Sequence, residues 1–169
     1  MISIKVNDQL VLDKLNGLLN RSSNLRPAMA EIGEDIVEST KRRFATATAP
    51  DGTPWTPNSQ VTLDRYLGVF KSSFKKDGTL SKAGQARSTN KKPLTGETKT
   101  LQGSINYQLR GSTGVGVGSP KVQAAMMQFG GTTAQFPHLW GDIPARPFLG
   151  LSASDRANVL EILSDYLIG

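Results

Sequence analysis

The chain has 169 residues, no cysteine and a formal net charge of +6 at pH 7. This length suits one domain with a buried core, and the lack of cysteine excludes a disulfide framework or a thiolate metal site. Hydrophobic residues make up only 37% of the chain, beside 17 glycines and 9 prolines, which predicts a modest core with substantial loops. Neither a signal-peptide pattern nor an apolar run of about 20 residues is present, so we expect a soluble, unsecreted protein with no membrane partner.

The positive charge is concentrated between residues 71 and 92. Apolar residues are sparse there, so we predict a long, mobile basic loop inserted at about 71–92 into a single domain spanning 1–169. Such a loop either contacts a polyanion or an acidic protein surface, or is a solvated insertion without a role. Its seven bases outnumber its one acid, Asp77, and they are Lys71, Lys75, Lys76, Lys82, Arg87, Lys91 and Lys92.

The N-terminal part predicts a strand followed by a helix. Ile2, Ile4 and Val6 alternate with polar residues, as in a short half-buried strand. Leucines at positions 12, 15, 18 and 19 then recur at helical spacing until the polar break at 20–24. Asn7 or Asp8 is the expected N-cap.

A second helix is predicted from near Pro27 to about Ala45. Its acidic first half and basic end complement the helix dipole, and Glu38 can pair with Arg42 one turn later. We interpret the acids as a water-facing side rather than a metal site. The apolar stripe consists of Met29, Ile32, Ile36 and Phe44, with Val37 beside it.

Proline and Asp-Gly turns at 50–57 end this helix. Trp55 lies among them and either folds back onto the core or anchors an interface. Residues 58–70 form either a short helix or an extended arm.

The second half predicts a hairpin between helices. A short helix holding Leu101, capped by Thr95 or Thr98, precedes strands at 105–110 and 115–118. The alternating glycines at 114–118 lack the spacing of a phosphate loop and leave one sheet face open to another backbone. A helix capped by Ser119-Pro120 should run to Gly130, and a last helix capped by Ser152 or Ser154 should pack on the sheet.

These elements predict an α+β fold with a small antiparallel sheet, formed by the N-terminal strand and the hairpin and packed by amphipathic helices. No nucleophile motif surrounds the single histidine, His138, so we expect no catalytic, cofactor or metal site.

Residues 143–150 form a distinctive stretch, Ile-Pro-Ala-Arg-Pro-Phe-Leu-Gly. The two prolines hold the backbone extended. We expect Phe148 and Leu149 to be buried, and Arg146 to have a partner either within the subunit or across an interface.

The order of these motifs resembles the phage virion morphogenesis family, the tail-completion proteins of Mu-like contractile-tailed phages and prophages. The resemblance covers about residues 8–168. Where family members carry Tyr-Ala-x-x-His-Gln, this chain has Ala-Ala-Met-Met-Gln at 124–128, which leaves those positions a packing role. The motif residues expected at interfaces are Asp51, Gly52, Trp55, Gln128, Phe129, Gly130, Pro144, Arg146, Pro147 and Phe148.

The resemblance implies a structural protein that completes or caps the tail at the neck and helps join it to the head. It also implies a ring of identical copies, six being one option, that contacts the tail tube or tail terminator and the head connector. The location would be the virion tail or neck, with the host cytoplasm as the site of assembly. The alternative is a nucleic-acid-binding protein that uses the basic loop at 71–92 to contact DNA.

Overall fold

The computed structural model describes residues 9–96, 98–139 and 141–168. This part of the chain contains seven helices and one antiparallel hairpin, which confirms the α+β class. The expected strand at 2–6 and its cap lie outside the described residues. In chain order the elements are α1 Gln9–Ser23, α2 Arg26–Thr46, α3 Gln60–Gly68, α4 Lys82–Asn90, α5 Thr100–Gly103, β1 Asn106–Arg110, β2 Gly114–Gly118, α6 Gln123–Phe129 and α7 Ala153–Ile168.

Helix α2 is the central element, and both its predicted ends are confirmed within one residue. Pro27 lies in its first turn, and Ala47 ends it in the left-handed conformation with φ of 56°. The predicted Glu38–Arg42 pair is present at 4.0 Å, but both side chains are largely exposed, so it adds little stability.

The hairpin packs against α2, with Tyr107 opposite Val117 and Leu109 opposite Val115. The hairpin approaches the α2 backbone closely at Gly33, where a Cβ would lie 2.6 Å from the Tyr107 ring. The glycines of β2 share the other face with Gln108 and Arg110. The Arg110 side chain already lies over Gly116, with Nε 2.9 Å from where a Cβ would stand.

The buried core lies between the C-terminal end of α2, the start of the hairpin and the 143–150 stretch. Phe44 and Phe148 are 2% and 0% exposed and their ring centroids are 5.4 Å apart. The remaining buried members are Ala49, Trp55, Leu101, Ile105 and Ala124. Leu149 is half-buried and packs against this cluster.

Three local predictions were wrong. Helix α6 begins at Gln123 rather than at Ser119-Pro120, since the Ser119 hydroxyl instead accepts from the Lys121 N–H and pairs with Ser104. Helix α5 has no threonine cap, because Lys99 precedes it in the left-handed conformation. Helix α7 contacts α2 and α1 rather than the sheet, because the hairpin already faces α2.

The basic segment 71–92 has more regular structure than an irregular loop. It contains a 3₁₀ turn at Lys71–Ser73, a bridge between Phe74 and Leu80, and the helix α4. The Ser81 hydroxyl caps α4 by accepting from the Gly84 N–H at 3.0 Å. Short-range polar contacts of this kind need no large apolar core, so the low apolar content does not exclude regular structure here. The mobility of this segment stays a prediction.

The stretch 58–70, left open between helix and arm, contains the short helix α3, Gln60–Gly68.

Helix α1 is present as predicted but runs through the expected polar break to Ser23, and its leucines are not in the core. Leu12, Leu15 and Leu19 are 49%, 55% and 66% exposed. The helix is attached instead through Arg21, which donates to the Leu167 carbonyl of α7 at 2.9 Å.

Candidate assembly interface

Three segments that are distant in sequence meet in one bonded unit, which we call the clasp: residues 47–57, residues 127–130 and residues 143–150. The first is a tight hairpin closed by hydrogen bonds from the Ala49 N–H to the Thr53 carbonyl and from the Trp55 N–H to the Ala47 carbonyl, both 2.8 Å. Gly52 forms its turn with φ of +87°. The clasp contains all ten motif residues that the sequence singled out.

Gln128 joins the end of α6 to the extended stretch. Its Oε1 accepts from the N–H groups of Phe148 and Leu149 at 2.9 and 3.0 Å, and its Nε2 donates to the Leu149 carbonyl at 3.0 Å. One amide side chain therefore supplies the hydrogen bonds that a neighbouring strand would supply. The stretch stays extended without belonging to a sheet.

Trp55 belongs to the core, which resolves the two alternatives for this side chain in the described chain. It is 5% exposed, its ring meets that of Phe44 edge to face at 5.4 Å, and Nε1 donates to the Pro147 carbonyl at 2.7 Å. Burial with its polar atom satisfied is the usual state of a core tryptophan.

Arg146 has its partners within the subunit. It is 8% exposed, Nε donates to the Thr56 carbonyl at 2.8 Å and one terminal nitrogen donates to the Pro57 carbonyl at 2.9 Å. Burial lowers the pKa of its guanidinium below its ordinary value. The forked guanidinium matches two adjacent carbonyls, a geometry that a lysine ammonium does not reproduce.

Gly130 and Asp51 shape the backbone of the clasp. Gly130 ends α6 with φ of +72° and ψ of −176°, and a Cβ there would lie 2.7 Å from the Ala145 nitrogen. Asp51 accepts from the side chain and the backbone of Thr53, and these hydrogen bonds lower the pKa of its carboxyl. Both residues therefore shape the local conformation of the clasp.

An ion pair anchors the clasp to the helices. The Arg43 guanidinium binds the Asp155 carboxylate and also donates to the carbonyls of Phe148 and Gly150, each at 2.9 Å. Asp155 accepts from the Ser152 N–H at 2.7 Å, and Ser152 caps α7 in return. The sequence pointed to Arg43 only as part of the basic end of α2, which complements the helix dipole.

Four of the motif residues are exposed, namely Asp51, Gly52, Phe129 and Pro144. Phe129, at the end of α6, is 78% exposed, and Pro144 is also exposed. Pro144 lies at a cleft of ≈ 640 Å³, which we call the clasp cleft. Its apolar lining includes Val61, Leu94, Met127 and Ile143, and its charged lining consists of Lys91, Lys92, Arg146 and Asp142.

The basic segment borders this cleft at its C-terminal end. Lys91 lies 4.2 Å from the Tyr66 ring centroid and donates to the Thr95 carbonyl, and Lys92 donates to the Ala45 carbonyl. Arg87 lies 4.7 Å from the Phe70 ring centroid. The exposed cations of the segment are Lys71, Lys75, Lys76, Lys82 and Lys92.

Comparison with known proteins identifies the family of the chain. The model of the phage virion morphogenesis family matches residues 6–168. The chain belongs to the phage virion morphogenesis family. It is similar to tail completion protein S of Escherichia phage P2, with 29% identity over 160 residues that cover 92% of this chain and 93% of that protein.

The chain is also similar to Mu-like prophage FluMu G protein 2 of Haemophilus influenzae. It is 37% identical over 70 residues, which cover 41% of this chain and 49% of that protein. No solved structure gives a significant match. Neither relative's name refers to nucleic acid, so the DNA-binding alternative gains no support from these comparisons.

Within the described ranges, no group of three or more His, Cys, Asp or Glu side chains is arranged to hold a metal ion. Across the same residues, no helix combines the length and apolarity needed to cross a bilayer. His138 is exposed beside Phe136, with ring centroids 6.2 Å apart. Trp140, which the sequence places in the same stretch, lies outside the described residues.

Sequence reasoning missed Arg43 and Asp155, although one signal pointed to each of them. Arg43 lies 11 residues after Ile32, three helical turns along the buried side of α2. Asp155 follows Ser152 by three residues, the spacing of a capping box.

Proposed function

We propose that the chain is a structural, non-enzymatic tail completion protein that acts at the head-proximal end of a phage tail. The observation that carries this is the family match over residues 6–168, together with the similarity to the tail completion protein of phage P2 over 93% of that protein's length. In this role the protein resides in the neck of the virion and assembles in the host cytoplasm.

In the proposed function identical copies form a ring that caps the tail and helps join it to the head. The tail tube or tail terminator would contact one side of the ring and the head connector the other. The clasp supports this proposal, because its hydrogen bonds fix the extended stretch within the subunit while Phe129 and Pro144 remain exposed for contacts. Subunits with two different contact surfaces close into rings when the rotation permits.

Deleting the gene from the phage or prophage that encodes it tests the role in the tail. Induced lysates should then contain filled heads and unattached tails, and the gene supplied in trans should restore infectious particles. A copy with an early stop codon is the matched control. Infectious particles in normal yield without the gene would refute the proposal.

The ring is tested separately with the purified protein. Size-exclusion chromatography with light scattering at moderate salt should show a concentration-dependent shift from the monomer mass to one closed multiple of it, and electron microscopy should show rings. A monomer at every concentration, together with the absence of rings in purified tails, would contradict the ring.

A further inference from the structure

One side of α1 is apolar and uncovered in the described part of the chain. Leu12, Leu15 and Leu19 are spaced i, i+3 and i+7, so they form one continuous line, which we call the leucine ridge. Each of these side chains is about half exposed or more, at 49%, 55% and 66%. The helix is attached to α7 through a different side, where Arg21 donates to Leu167.

Acidic side chains adjoin the C-terminal end of α1. Tyr166 of α7 donates its hydroxyl to the Asn24 carbonyl at 2.8 Å, just beyond the last turn of α1. Tyr166 also lines a cleft of ≈ 580 Å³ between α2 and α7. The acids in its described lining are Glu31, Asp35, Glu161 and Asp165, and that lining contains no base.

The clasp cleft has the opposite charge to the cleft between α2 and α7. Its lining is mainly apolar, and three cations outnumber its one acid, Asp142. The rest of the basic segment lies alongside, because α4 packs against α3, whose Val61 lines the cleft. One chain therefore carries a basic, mainly apolar cleft and an apolar ridge on α1, the helix whose C-terminal end adjoins a group of acids.

We propose that the leucine ridge of one copy docks in the clasp cleft of the next copy, with the acids of the α2–α7 cleft facing the basic segment of that neighbour. An amphipathic helix with anchors at i, i+3 and i+7 is the usual occupant of an apolar groove. Opposite charges beside it set the orientation and speed association. The two surfaces differ, so the contact runs head to tail and can close into a ring. This inference rests on the proposed ring.

The test uses the full chain with exposed substitutions that leave its core intact. The ridge variant is Leu12→Gln/Leu15→Gln/Leu19→Gln, with Leu10→Gln as the control, since Leu10 is 75% exposed on another side of α1. The cleft variant is Val61→Glu, with Val69→Glu as the control, since Val69 is 67% exposed and outside the cleft lining. Circular dichroism verifies that each variant is folded.

Light scattering should give the oligomer mass for the wild type and both controls, and the monomer mass for the ridge and cleft variants. An equimolar mixture of the two variants should form a dimer and nothing larger, because it has one intact ridge and one intact cleft. Higher salt should slow the association of the wild type, since screening shortens the Debye length from about 10 Å at 0.1 M to about 3 Å at 1 M.

Oligomers of wild-type mass from both variants would overturn this contact and leave the ring proposal standing. If the ridge variant alone fails to assemble while the cleft variant alone assembles normally, the ridge binds a surface other than the clasp cleft. That outcome also overturns the proposed contact. A wild type that is monomeric throughout, with no ring in purified tails, would refute both proposals together.

Discussion

Arg43 and Asp155, 112 residues apart in the chain, form a buried ion pair that joins α2 to the start of α7. Their side chains are 7% and 4% exposed. Because Arg43 also holds two carbonyls of the 143–150 stretch and Asp155 also caps α7, this pair fixes three parts of the fold relative to one another.

Asp155→Ala should strongly destabilise the protein. Removing one member of a buried pair leaves the other charge without compensation, which typically costs about 3–5 kcal/mol. Urea unfolding followed by circular dichroism measures the change, with the exposed Asp165→Ala on the same helix as control. If Asp155→Ala lowers the free energy of unfolding no more than the control does, solvent must compensate the charge of Arg43.

Asp155 should also contribute a pH-dependent part of the stability. Burial by itself raises the pKa of its carboxyl, but hydrogen bonds from Ser39 and Ser152 and the charge of Arg43 outweigh it and lower the pKa below 3.8. A carboxyl with a lower pKa in the folded state stabilises the protein above pH 3.8 and loses this effect as the pH falls through the folded-state pKa.

The difference in unfolding free energy between the wild type and Asp155→Asn isolates this contribution. It should be constant near neutral pH and shrink below pH 3.8. Asp51 and Asp77 also have lowered pKa values, through hydrogen bonds from Thr53 and Thr79, but they are present in both proteins and cancel. A difference that stays constant into the acid-unfolding range would contradict the assignment.

Gln128→Ala should loosen the clasp. It removes three hydrogen bonds and leaves the N–H groups of Phe148 and Leu149 without their acceptor, so we expect a loss of about 2 kcal/mol or more. Amide hydrogen exchange at residues 148 and 149 reports the opening directly. The exposed Gln135→Ala serves as control, and unchanged protection would show that water replaces the amide.

Gly130→Ala should destabilise the end of α6. The backbone there has φ of +72°, and a Cβ would lie 2.7 Å from the Ala145 nitrogen and 2.8 Å from the Ile143 carbonyl oxygen. Backbone strain of this kind costs about 1–3 kcal/mol before any clash is counted. In thermal unfolding, Gly130→Ala should have a lower midpoint temperature than the control Gly103→Ala, where a Cβ would meet open space.

Arg146→Lys should lower stability although the charge is kept. An ammonium cannot donate in a fork to the carbonyls of Thr56 and Pro57, and losing one charged hydrogen bond costs about 1.5–3 kcal/mol. The control is Arg42→Lys, since the Arg42 side chain is 64% exposed, and the two variants are compared by their denaturant midpoints. Equal midpoints for the two variants would show that the fork is not needed.

The local elements were largely predictable because short-range rules set them. The bounds of α2 follow from Pro27 and from the helix-stopping turns after Ala45, and the hairpin follows from the alternation around Tyr107 and Val117. The motif order at 50–57, 128–130 and 143–150 was sufficient to predict the family.

By itself, the sequence determined the family, the α+β class and the expected burial of Phe148, because periodicity and motif order depend only on neighbours along the chain. Only the tertiary structure decided which faces became the core. It buried Arg43 against Asp155, supplied carbonyl partners for Arg146 and left the leucines of α1 exposed. Arg43 and Arg146 meet partners that lie 112 and 90 residues away along the chain, which local spacing does not specify. Amphipathic spacing likewise specifies an apolar side of α1 without specifying what covers it.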